Sequence, residues 1–141
     1  MGFLTKLFSR KPAAPSPVEQ VSRILEHFAT ATSMGIDRED LARYPAKQRQ
    51  VMAFHFGAIE YLAGEFRLDE TQMLGVFVMF LDNYFIMPIT ETGSISERVQ
   101  GFHDKPQERE YLEAGADVCH RWHELNERRA PLQLGEMLAV S

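Results

Sequence analysis

Apolar side chains recur every three to four positions along most of the chain, and no segment sustains the strict alternation of a strand, so the pattern predicts helices and no sheet. From Val18 to about Met34, one face carries Val18, Val21, Ile24, Leu25, Phe28 and Thr32 while the other carries Glu19, Arg23, Glu26, His27 and Thr30, with Gly35 placed to cap the end. A short turn of helix follows at about Asp37–Arg43, capped by Asp37. Tyr44-Pro45 then opens a longer helix reaching about Phe66, because proline is welcome in a first turn and pushes the residue before it out of helical geometry. In that helix Val51, Met52, Phe54, Phe56, Ala58, Ile59, Tyr61 and Leu62 cover more than half the circumference, with His55 in the middle of the arc. The remaining strip holds Ala53, Gly57 and Gly64, small residues that let another backbone come close, whether from this chain or from a second copy.

Asp69-Glu70-Thr71-Gln72 has the form of a capping box, and the helix behind it, about 70–87, is apolar nearly all round. Such a helix belongs inside a ring of others, so it is expected at the centre of the fold. Its polar strip, Thr71, Gly75 and Asp82, is then either a solvent edge or a buried polar site. Pro88 ends it; Ser94–Glu97 starts a short helix toward Phe102; Asp104 and Pro106 start another running to about Arg128. The inner face of this last long helix is Tyr111, Leu112, Gly115, Val118, Cys119, Trp122 and Leu125, and after Pro131 the residues Leu132, Leu134, Met137 and Leu138 suggest a short terminal helix. The fold class expected is all-α: an irregular bundle of about five helices around the apolar helix at about 70–87, forming one domain over 18–141.

Residues 1–17 stand apart. Phe3, Leu4, Leu7 and Phe8 fall on one helical stripe flanked by Lys6, Arg10 and Lys11, with no acid among them, and the three prolines of 12–17 make an extended linker behind it. These seven residues form the candidate contact with an anionic membrane surface or with a partner's hydrophobic groove. Gly2 does not complete a myristoylation motif, since Lys6 stands where a serine or threonine is required.

Composition narrows the function classes. With 45% hydrophobic and 25% charged residues the chain has the make-up of a globular protein, and its ten phenylalanines and seven methionines suit a ring-packed core. The net charge of −5, with the one acid-free cluster of cations in the tail, leaves no face for a phosphate backbone, so nucleic acid is not an expected partner. One cysteine, Cys119, makes no internal disulfide; with no apolar leader and no run long enough to span a bilayer, a cytoplasmic location is expected, peripheral at the inner face of a membrane if the tail attaches there.

Chemistry is sparse. Cys119 and His123 lie one helical turn apart, but a metal needs three or four convergent ligands, so these weak candidates do not amount to an expected metal site. His55, an imidazole amid apolar residues, needs a partner, and Asp82 or Tyr84 is placed to serve. There is no P-loop, GxGxxG, GxSxG, HExxH or EF-hand loop, and no pair of Glu-x-x-His segments for a di-iron bundle. The reading is a non-catalytic interaction module of adaptor, regulatory or inhibitor type, with a protein partner, no cofactor and self-association open. The alternative is a bundle that binds a lipid, haem or metal through His55 and Asp82.

Overall fold

A computed structural model describes residues 14–84 and 95–140, and every regular element among them is helical. In chain order these are α1 (Pro17–Ser33), α2 (Arg38–Arg43), α3 (Pro45–Phe66), α4 (Glu70–Tyr84), α5 (Ile95–Asp104), α6 (Pro106–His123), a 3-10 turn (Ala130–Leu132) and α7 (Gln133–Ala139). The described residues thus hold seven α-helices where about five were expected, the short α2 and α7 making up the difference. None is long and apolar enough to cross a membrane.

Most helix ends follow from local chemistry. Ser16 Oγ accepts from the Glu19 N–H at 3.2 Å, and Asp37 Oδ1 accepts from the Glu39 and Asp40 N–H groups at 3.0 and 3.3 Å. The box at α4 closes in both directions: the Gln72 N–H donates to Asp69 Oδ1 at 2.8 Å and the Asp69 N–H to Gln72 Oε1 at 2.9 Å. Arg67 ends α3 by taking a left-handed φ of 57°, which turns the Leu68 N–H back to the Ala63 carbonyl. Two expected caps differ. Asp104 is the last residue of α5 and accepts from the Gln100 side chain, so Lys105 holds the cap position of α6 without a side-chain bond. Gly35 is not left-handed; it serves as a contact, because a Cβ on Gly135 would lie 2.3 Å from the Gly35 carbonyl oxygen.

The centre of the bundle is α3, not the helix at 70–84. From Gln50 to Ile59 every residue of α3 is buried, at all angles around the axis. By contrast α4 buries Val76, Phe77, Phe80 and Leu81 on one side and leaves Val78 and Met79 open. Total hydrophobicity does not decide which helix is surrounded. Small residues do: Ala53, Gly57, Ala58 and Ala63 thin α3 enough for neighbours to close on it from several directions.

The closest of these neighbours is α6, which runs in the same direction as α3: Gln50 and Tyr111 line one hollow, Phe54 meets Gly115, and Tyr61 meets Glu124. A Cβ on Gly57 would lie 1.9 Å from the Leu112 carbonyl oxygen, and one on Gly115 would lie 1.8 Å from that of Phe54. The two backbones therefore touch through a reciprocal pair of glycines. This contact consumes the middle of the Ala53, Gly57, Gly64 strip within the chain. Gly64 alone remains, exposed, and a methyl added there would meet no atom within 4 Å. Gly64→Ala is accordingly expected to stabilise the fold by about 0.5–1 kcal/mol, seen as a higher urea midpoint at an unchanged slope.

Candidate functional site

His55 is 3% exposed at the junction of α1, α3 and α4. Its ring stacks on Phe80 at 4.7 Å and takes Phe28 and Phe54 edge-on at 5.9 and 5.6 Å. Nδ1 lies 2.8 Å from the Val51 carbonyl oxygen, which has no proton to give, so Nδ1 carries the hydrogen and donates. Nε2 of the neutral ring is then an acceptor and receives the Thr32 hydroxyl, whose oxygen is 2.8 Å away. Burial outweighs the bond to Val51 and pushes the imidazole down to about 4, so it is neutral near pH 7.

Asp82 is not the partner of His55. Phe80 faces the ring, and two residues further on the helix has turned by about 200°, which puts the Asp82 carboxylate on the exposed side. Tyr84 comes closer, stacking on Phe80, but its hydroxyl donates to the Glu26 carbonyl at 2.8 Å and lies 3.0 Å from Thr30 Oγ1. The polar strip of α4, with Thr71, Gln72, Gly75, Asp82 and Asn83 all exposed, is a solvent edge. His55 is thus a satisfied residue in a filled core, and a bundle site for lipid, haem or metal built on His55 and Asp82 has no geometric basis.

Cys119 is completely buried and its thiol is pushed up to about 12 by desolvation, far from the thiolate a ligand or nucleophile requires. His123 lies beside Trp122 on the partly exposed surface. No three His, Cys, Asp or Glu side chains converge on a metal-sized point among the described residues. A pair with no signal in the helical pattern is Glu60 and His103, from α3 and α5, at 3.1 Å beside the glycine crossing; burial raises the Glu60 carboxyl and the imidazole opposes this. The tail candidates Phe3, Leu4, Lys6, Leu7, Phe8, Arg10 and Lys11 lie outside the described residues, as do the helix start expected at Ser94 and the stretch 85–87.

Two larger hollows mark the surface. One of about 810 Å³, between α3, α6 and the C-terminal residues, contains the Lys47–Asp40 ion pair at 2.6 Å, and the buried Gln50 on its wall keeps an unpaired amide oxygen. The other, about 620 Å³, is a groove between α1 and α4. Its floor is Leu25, Val76 and Phe80, its rim carries Arg23, Arg38 and Asn83, and Tyr84 meets Thr30 along its wall. On the α4 lip Met79 is 50% exposed. A large apolar side chain left open beside an apolar floor makes this the face best shaped for contact with another molecule. The signal for it in the sequence is the all-round apolarity of α4, which pointed instead to burial within the chain. Comparison with protein-family models, with curated proteins and with solved structures gives no match to this chain.

Proposed function

We propose that this chain is a non-catalytic helical interaction module of adaptor, regulatory or inhibitor type, which receives a protein partner on the α1–α4 face and is held at a membrane surface by its opening segment. The observation that carries the reading is the exposure of Met79 on the lip of the α1–α4 groove, beside its floor of Leu25, Val76 and Phe80. Burying the open half of the Met79 side chain yields roughly 1–2 kcal/mol before the costs of association, so the apolar floor must supply the rest of any affinity. A cytoplasmic location at the inner, anionic face of a membrane goes with three cations and four large apolar residues in the tail.

Co-sedimentation with vesicles rich in anionic lipid tests the attachment. The full chain is expected to pellet with the vesicles at low salt and to be released as salt rises, whereas a chain lacking residues 1–11 stays in the supernatant. Equal behaviour of the two would remove the membrane from the proposal.

A further inference from the structure

We infer that the α1–α4 groove receives an acidic amphipathic helix of about three turns, an inference that rests on the docking reading above and names its partner. Length comes first. The α1 wall of the groove runs from Ser22 to Ser33, a rise of about 16 Å, which an 11- or 12-residue helix spans. The floor is a stripe rather than a hole, as a helix laid in a groove requires.

Charge decides the sign of the occupant. Arg23 and Arg38 line opposite ends of the groove, the first beside Ser22 and the second just beyond Ser33, and neither has an ion-pair partner among the described residues. Two other arginines are taken up by acids, Arg109 by Glu113 and Arg121 by Asp117 and Glu127, so they offer no comparable free charge. The one carboxylate of the lining, Glu26, leaves the rim a net positive charge on a chain of net charge −5. A single-headed anionic lipid would use one of the two arginines, whereas a helix with carboxylates along its flank meets both. The chain's own opening segment has the right apolar stripe but the wrong sign, since Lys6, Arg10 and Lys11 would face Arg23 and Arg38.

The test selects displayed 12-residue peptides against the full chain, with apolar residues fixed at i, i+3, i+4 and i+7 and the flanks randomised among Glu, Gln and Lys. Affinities of the enriched peptides are measured by fluorescence anisotropy and their position by NMR shift changes. Glu-rich flanks are expected to dominate, with shifts at Leu25, Val76 and Met79. The double reversal Arg23→Glu with Arg38→Glu is expected to weaken these peptides at least tenfold and to turn the preference toward Lys-rich flanks, while Met79→Asp weakens every peptide. All three substituted residues are exposed, so the fold tolerates the changes. Neutral or basic flanks among the winners, or an affinity indifferent to the charge reversal, would overturn the acidic partner and leave the docking face standing. No enrichment at all, or shifts elsewhere, would overturn both. Displacement of the winners by a peptide of residues 1–11, or Met79-dependent dimerisation of the free chain, would assign the groove to the chain itself and overturn the inference.

Discussion

Gly57→Ala is expected to destabilise the fold by about 3–5 kcal/mol, at the upper end of single substitutions, and to lower the melting temperature by roughly 10 °C or more. The added methyl would sit 1.9 Å from the Leu112 carbonyl oxygen and 3.1 Å from the Ala116 nitrogen, both main-chain atoms. A flexible side chain could swing aside; a helix backbone moves only as a unit. To admit the methyl, α3 and α6 would have to separate along a contact that includes Phe54, Val118 and Cys119, all completely buried. Gly115→Ala meets the Phe54 carbonyl oxygen at 1.8 Å and is expected to cost a similar amount. The intrinsic gain of roughly 1 kcal/mol for alanine over glycine in a helix offsets only a fraction of this. Thermal and urea unfolding of Gly57→Ala and Gly64→Ala measure the contrast, since the two changes are chemically identical and lie two turns apart on α3. A loss below about 1 kcal/mol at Gly57 would mean that the backbones are not in contact there.

That contrast also shows which parts of the fold were legible in the sequence. Helix starts with a side-chain oxygen in place, at Asp37 and at Asp69 with Gln72, are local events and the structure keeps them. The choice of central helix is not local. Apolar character all round marked 70–87, yet the helix that is surrounded is the one whose small residues let neighbours approach, and that depends on Gly115 lying across from Gly57 some sixty positions earlier. The polar pair at the core was half legible. His55 stood in an apolar arc and Thr32 on the apolar face of α1, and two polar groups forced into one interior tend to satisfy each other. A partner on α4, Asp82 or Tyr84, was expected in place of Thr32, but a carboxylate two residues from Phe80 is on the wrong side of its helix and the Tyr84 hydroxyl goes to the Glu26 carbonyl. The α1–α4 groove was illegible for the same reason as the centre: which face of α4 stays open is set by what packs against it.

The buried imidazole has a consequence in solution that follows from its sign. Unfolded, a histidine titrates near 6.5; folded, His55 is held down to about 4, so as pH falls the unfolded chain takes up the proton first. Its contribution to stability is therefore intact above about pH 6.5 and is lost progressively down to about pH 4, a loss of roughly 3 kcal/mol over the whole window. The hydrogen bonds do not prevent this. A charged ring could donate from Nδ1 to Val51 and from Nε2 to Thr32, whose hydroxyl would turn to the Ala29 carbonyl at 3.0 Å, so every proton has an acceptor. What the ring lacks is a counterion, and its other neighbours are the faces and edges of Phe28, Phe54 and Phe80. His55→Phe removes the titration, keeps the volume close to the original, and lets the Thr32 hydroxyl turn to the Ala29 carbonyl, 3.0 Å away. Urea unfolding at pH 7 and pH 4.5 is expected to show the wild type losing about 2–3 kcal/mol more than the variant between the two conditions. Comparing the difference cancels the other titrating groups, among them Glu60, whose raised carboxyl acts in the opposite direction. Parallel pH profiles for the two proteins would mean that water reaches His55 and that the core around it opens before the chain unfolds.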